Sequence, residues 1–334
     1  MRFTPHYCPY DCCPSRTGST AFRCHRRGTY LRACDGRRVP RFHCQGCGRT
    51  FSSQTYRVDF RWRLPRLHID LARMLVSKVT RRQAARILEV NRKSVERRFQ
   101  RLASIALRLH RARLEQLRAN PILYGAFQFD ELETYEASRL DCPLTCGVAI
   151  HRGSLFVVDA GIGTLPPRLR KASKLRRAMP AKRRSQSKQV VRRIVEAIAS
   201  VSSRSTPAWV ESDMKSSYPV ELRRAFRGRR FEHRVTHSKV ARTRENPLFP
   251  INHTFAMMRD CLAPLVRRTW ASSKSRGGLR RAVWIWIAYR NYIRAVTNKA
   301  NVTPWQILRP SAKRDTIVSA FRRRWPDLDA HYAH

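Results

Sequence analysis

Two short apolar segments each end in an aspartate: AFQFDEL carries Asp130 and PAWVESD carries Asp213. Both read as strands, because apolar and aromatic residues gather between turn-forming residues. In the first, Phe127 and Phe129 point to one face and Gln128 and Asp130 to the other, since successive strand side chains alternate. Asp130 is thereby expected to project from a buried strand toward a cleft. Carboxylates on neighbouring strand ends are what a pair of Mg²⁺ ions needs. Such ions activate a water or a 3′-hydroxyl and stabilise the leaving oxygen of a phosphodiester. Taken singly, an aspartate at a strand end is as readily a turn residue or the partner of an arginine.

A second constellation is built of cysteines, seven of the ten lying within the first 47 residues. Cys44-Gln-Gly-Cys47, followed by Gly48, is a knuckle whose glycines let backbone amides turn toward the sulfurs. Its matching half is Cys8 with Cys12 or Cys13 in CPYDCCPS, and Cys13 is the favoured choice. Two close pairs about 35 residues apart have zinc-ribbon spacing, in a closed structural site that does no chemistry. Cys24, Cys34, His25 and His43 are spare soft ligands, and free thiols in a reducing compartment are the alternative. A zinc site here would fold a module too small to fold alone and present Arg37, Arg38, Arg41 and Arg49.

The elements that must position these groups follow from periodicity. In VTRRQAARILEVNRKSVERRFQRL, residues 79 to 102, Thr80 and Gln83 form a capping box that starts one helix. Asn91 is a good N-cap for a second, whose Val95, Phe99 and Leu102 are expected to pack onto Ala84, Ile87 and Leu88. This is the outline of a helix-turn-helix, which places its second helix in the major groove of DNA. Arg92, Lys93, Ser94 and Arg97 would occupy the face that meets bases and phosphates. An ordinary helical hairpin with a solvated basic face is the competing reading.

Beyond Pro121, AFQFDELETY, LTCGVAIHR and SLFVVDAGIG read as strands, followed by the helix KQVVRRIVEAIASV and the strand PAWVESD. The short helix PVELRRAF, a strand near FEHRVTH and long helices from about 251 to 300 come next. The expected fold is a multidomain α+β or α/β chain. Its parts are a small cysteine module over 1–57, a helical DNA-binding domain over 58–119, a mixed sheet flanked by helices over 120–300 and a C-terminal tail over 301–334. Residues 165–187, nearly free of acids, read as a basic loop that orders on DNA.

Charge decides the class of partner. Lys plus Arg number 69 against 23 Asp plus Glu, a net charge of +46, far beyond what solubility needs and suited to a polyanion. The longest apolar run, AVWIWIAY at 282–289, falls short of the ~20 residues that span a bilayer and reads as core. Trp284 and Trp286 belong to that core, whereas Trp270 and Tyr289 could stack on bases. The start, MRFTPHYCPYDCC, lacks the features of a secretory signal. A cytoplasmic, nucleoid-associated protein acting on double-stranded DNA is expected.

A further signal lies in INHTFAMMRDCLAPLVRRTW, where Asn252 and Arg259 are two helical turns apart on one face. The order of parts, with the run RDCLAPLVRRTWASSKS, resembles bacterial insertion-sequence transposases that have an RNase H-like DDE core. The resemblance covers residues 8 to about 300 and is carried by order and spacing rather than by any one motif. It implies that Asp130 and Asp213 bind Mg²⁺ or Mn²⁺, that Asn252 takes the third position usually held by Glu, and that Arg259 orients DNA or the third ligand. An amide oxygen there would still ligate a hard cation, without charge and so with lower affinity. Glu245 in RTRENPLFP is the alternative third acid and Asp260 an outside one.

The resemblance further implies a DNA transposase that binds the terminal inverted repeats of its element through the zinc module and helix-turn-helix, then cuts and joins strands. Synapsis of two ends implies a homodimer or higher oligomer on DNA. The rival is a catalytically inactive or domesticated DNA-binding protein, which the neutral Asn252 keeps open.

Overall fold

The computed structural model describes residues 3–57, 60, 64, 66–167, 183–237, 239–241, 243–266 and 271–322. The chain divides into two compact units, residues 1–70 with 321–334 and residues 71–320.

In the first unit, β1 (Cys24–Leu31), β2 (Arg38–Cys44) and β3 (Thr50–Ser52) form an antiparallel sheet in the order β1-β2-β3. Its strands escape a periodicity search because β1 exposes nearly every side chain, so no alternation is written into it. The core is small: Phe42 and Phe51 stack with ring centroids 5.7 Å apart, and Tyr56 and the buried Cys8, Cys13 and Cys44 complete it. So small a core is a weak source of stability, and a metal cross-link would add what it lacks.

The helix α1 (Arg66–Leu75) crosses the boundary between the units. In the second unit α2 (Arg81–Ile87) and α3 (Arg92–Ala119) precede β4 (Ala126–Tyr135), β5 (Pro143–His151) and β6 (Phe156–Thr164). Then come α4 (Ser187–Val201), β7 (Ala208–Asp213), α5 (Tyr218–Ala225), β8 (Phe231–Thr236), α6 (Phe249–Cys261) and α7 (Arg276–Tyr292). The short helices α8 (Pro304–Leu308) and α9 (Ile317–Phe321) follow. The strand order is β6-β5-β4-β7-β8, with β5 antiparallel to both of its neighbours, β4 and β6, and with β4, β7 and β8 parallel. The architecture is therefore mixed α+β, a five-stranded mixed sheet flanked by helices, with β4 at its centre.

Glycines set the approach of α4 to this sheet. Gly147 and Gly161 are register partners, and a Cβ on Gly147 or Gly163 would stand 2.6 or 2.7 Å from a methyl of Val190. Removing the side chain at these positions is what lets the helix lie close. On β6, Asn291 of α7 donates to the carbonyl of Val157 and accepts from its amide, both at 2.9 Å. An amide side chain thus does for that edge strand what a further strand would do.

Several expectations change here. The helix-turn-helix region and the sheet belong to one unit, because α3 runs unbroken to Ala119 and packs on α7. Residues 301–322 are not a tail: the capping box of Thr303 and Gln306 starts α8, and Trp305 is buried against Phe156 and Tyr292. The long helices expected from 251 to 300 are α6 and α7, and α6 ends at Cys261 because Leu262 is already extended and Pro264 has no N–H to continue it. The core reading of AVWIWIAY holds, with Trp284 and Trp286 buried, while Trp270 lies outside the described residues. Most of the expected basic loop, 168–182, also lies outside them.

Candidate active site and metal centre

The parallel pairing of β4 with β7 matches Ala126 to Trp209, Phe127 to Val210 and Gln128 to Glu211. Partners in a parallel pair share a face, so Asp130 and Asp213, each two residues further along, lie on the face that carries Gln128 and Glu211. Neighbouring strands are ~4.8 Å apart. The chain runs out of β7 at Asp213, the carboxyl end of a parallel strand, where open sheets of this kind bind ligands.

Gln128 organises the third side of the site. Fully buried, it donates to Glu211 Oε2 at 2.6 Å and to the carbonyl of Pro247 at 2.7 Å, and it accepts from the amide of Ile251 at 3.0 Å. The last bond fastens the first turn of α6 to the sheet beside Asn252, which is half-buried. Arg259 lies two turns on in the same helix, also half-buried. Three oxygen donors, two of them charged, are the set a hard divalent cation accepts, so Asp130, Asp213 and Asn252 fit Mg²⁺ or Mn²⁺ in chemical type.

The remaining acids are otherwise engaged. Glu245 is exposed in the loop before α6, its carboxyl held down by the Thr243 hydroxyl and then by its own amide. Asp260 is exposed, 3.7 Å from Lys78 Nζ. Glu211 is buried and bound by Arg152 at 2.9 Å as well as by Gln128. Among the described residues, no group of three His, Cys, Asp or Glu other than the cysteine cluster lies within metal-ligand distance.

On the opposite face, Glu131 is a hub that the sequence did not reveal. It accepts from Thr145 at 2.7 Å, Ser187 at 2.9 Å and Tyr218 at 3.2 Å, and it pairs with Lys215. The Lys215 amide in turn donates to Asp213 Oδ1 at 3.2 Å, so this network holds the end of β7. Burial, and then the charges of Asp130, Glu131 and Asp213, push the Tyr218 phenol far up. The signal was present in FDE, but an acid facing the helical layer looks like a surface residue until α4 and α5 cover it.

In the first unit Cys8, Cys13, Cys44 and Cys47 bring their sulfurs within 4.8 Å of one another. The Cys8–Cys47 and Cys13–Cys44 separations are 3.7 Å each. A tetrahedron with Zn–S bonds of ~2.3 Å has edges of ~3.8 Å, so the cluster fits a structural zinc ion. Cys13, not Cys12, joins it; Cys12 is exposed and accepts from Arg49 at 3.0 Å. Hydrogen bonding from Ser15 lowers the Cys13 thiol, while burial raises those of Cys8 and Cys47.

The helices α2 and α3 begin where their caps dictate. Thr80 and Gln83 exchange the capping-box bonds, and Asn91 Oδ1 accepts from the Lys93 amide at 2.8 Å. Val95, Phe99, Leu102 and Ala84 are buried, but Ile87, the last residue of α2, is 59% exposed, contrary to expectation. Arg92, Lys93 and Arg97 are exposed and Ser94 is half-exposed at the start of α3. Among the described residues no helix is long and apolar enough to cross a membrane.

A scan against protein-family models finds no match to this sequence, and a search of curated proteins finds no significant relative.

Proposed function

We propose that this chain is a DNA strand-transfer enzyme of the transposase type, acting on the ends of a mobile element. One observation carries the reading: Asp130 and Asp213 lie side by side on adjacent parallel strands, next to the pinned first turn of α6, in a chain of net charge +46. The five-stranded mixed sheet with β4 at its centre supports an RNase H-like core. The cysteine cluster supports a zinc ribbon, and the exposed cations of α3 support duplex binding.

Asp130, Asp213 and Asn252 would hold Mg²⁺ or Mn²⁺, which when bound supplies Lewis-acid activation of a water or a 3′-hydroxyl. The chain's own residues do the rest. Gln128 and Lys215 keep the two strand ends in register, and Arg259 and the basic surface hold the phosphodiester. Arg92, Lys93, Ser94 and Arg97 select the duplex, and a homodimer or higher oligomer brings two ends together. Binding should weaken by orders of magnitude between low and moderate salt.

A second reading, a DNA-binding protein that no longer cuts, is favoured by the neutral third position: among the described residues no set of three acids that includes Asp130 and Asp213 lies at metal-ligand distance. Labelled DNA carrying the element's ends, incubated in Mg²⁺ and in Mn²⁺, separates the two. Cleaved and joined products that vanish in Asp130→Asn support the enzyme. Binding without product in either metal supports the rival, and a gain of cutting in Asn252→Glu would then identify the defect.

A further inference from the structure

A cleft of about 740 Å³ opens in the second unit between α2, the start of α3, the segments 262–266 and 271–274 and the first turns of α7. Its size lies within the roughly 300–1,000 Å³ that accepts an organic molecule rather than only an ion. Val79, Phe99, Leu262, Pro264, Val266 and Ala282 give the walls an apolar part beside polar and cationic side chains. The rim is cationic: Arg82, Arg86, Arg92 and Lys274 line the cleft and are exposed. Arg81 is paired with Glu96 at 3.0 Å and lies 4.6 Å from the centre of the Phe99 ring. No carboxylate is among the lining residues.

The two walls belong to the two working parts of the unit. One is the helix-turn-helix, whose Arg92 stands both on the rim and on the face expected to meet duplex DNA. The other is tied to the strand that carries Asp130, because Glu136, just past the end of β4, bridges to Ser273 and the Ala137 amide donates to the Ser273 carbonyl at 3.1 Å. A ligand in the cleft is therefore held by elements fixed to both.

We propose that the cleft holds one nucleotide of an unpaired DNA strand, its phosphate on the rim cations and its base against the apolar wall. A bare anion would leave the apolar wall in water, and a neutral apolar ligand would leave the cations unanswered; a nucleotide satisfies both. The inference rests on the reading of the chain as a DNA-acting protein and adds a contact that the recognition face of α3 does not make. A strand frayed beside α3 would be guided along the cleft toward the end of β4.

The test uses the full chain with a short fluorescent single-stranded DNA of mixed sequence and with the same sequence as duplex, titrated over a range of salt. Arg82→Ala with Lys274→Ala removes exposed rim charge without touching the core. It is expected to weaken single-strand binding about tenfold and lower the salt slope by roughly 0.7, the share of one phosphate contact. Ala282→Phe fills the cleft and is expected to weaken single-strand binding several-fold, leaving the salt slope and duplex affinity nearly unchanged. Single-strand affinity unchanged in both variants, or equal losses for single strand and duplex, would overturn the cleft assignment while leaving duplex binding intact. Failure of the wild type to bind either DNA would overturn the functional reading itself.

Discussion

Gln128 donates a 2.6 Å hydrogen bond to Glu211 across the parallel strands β4 and β7, and two residues further along each strand stand Asp130 and Asp213 on that same face. The bond is buried and joins a neutral amide to a carboxylate that Arg152 also binds, so it fixes register between the two strands that carry the candidate ligands.

Replacing Gln128 by Leu removes this bond together with those to Pro247 and Ile251. Stability should fall by about 1–3 kcal/mol, the cost of leaving buried polar partners unsatisfied. Urea unfolding checks it through the midpoint. A loss of strand transfer larger than the loss of folded protein would show that the pin positions Asn252.

Asp130→Asn and Asp213→Asn should each lower product formation by at least ~10²–10³-fold, the scale of losing one preorganised electrostatic partner. Duplex binding should stay within about twofold. Gel assays on one set of labelled ends read both quantities, and cutting retained by either variant would remove that aspartate from the site.

One equivalent of zinc should copurify with the chain. Cys44→Ser and Cys13→Ser should lose it and unfold the first unit, whereas Cys12→Ser should keep it, because Cys12 stands outside the cluster. Atomic absorption gives the stoichiometry. Since thiolates are the ligands, the metal should be released as pH falls.

His110 gives the second unit a pH dependence. Its Nε2 donates to the Val158 carbonyl at 2.9 Å, so Nδ1 accepts from the Tyr292 hydroxyl at 2.8 Å and the ring is neutral. Burial holds it at about 4, below the 6.5 of a free histidine. The unfolded chain therefore takes up the proton first. The stabilisation is complete above pH ~6.5 and is lost as pH falls toward ~4, at most about 3 kcal/mol. Denaturant midpoints at pH 7.5 and 5 should show a smaller drop in His110→Gln than in the wild type.

Arg92→Ala and Arg97→Ala should each weaken duplex binding and reduce the slope of log K against log salt by about 0.9 if the residue meets a phosphate. Fluorescence anisotropy across salt concentrations reads the slope. An unchanged slope with relaxed sequence preference would instead mark a base contact.

Much of this arrangement was legible one residue at a time. The capping box at Thr80 and the N-cap at Asn91 are local hydrogen-bond chemistry, so the sequence alone determined where α2 and α3 begin. The alternation in AFQFDEL placed Asp130 opposite Phe129, and the ligand spacing of Cys8, Cys13, Cys44 and Cys47 marked the cysteine cluster. The charge of +46 pointed to a polyanion without any fold at all.

Tertiary structure decided the rest, because it joins residues that are far apart in the chain. The parallel pairing of β4 with β7 puts Asp213 beside Asp130, and the Gln128 bond to Ile251 fastens the first turn of α6 to the sheet. Glu131 became a buried hub when α4 and α5 closed over it, and Cys12 was separated from Cys13 by the way the knuckle folds. Caps, turns and alternation act over a few residues and can be read directly. Register across a sheet and the covering of an acid by a helix depend on where distant segments meet, and that is set by the packing of the whole core.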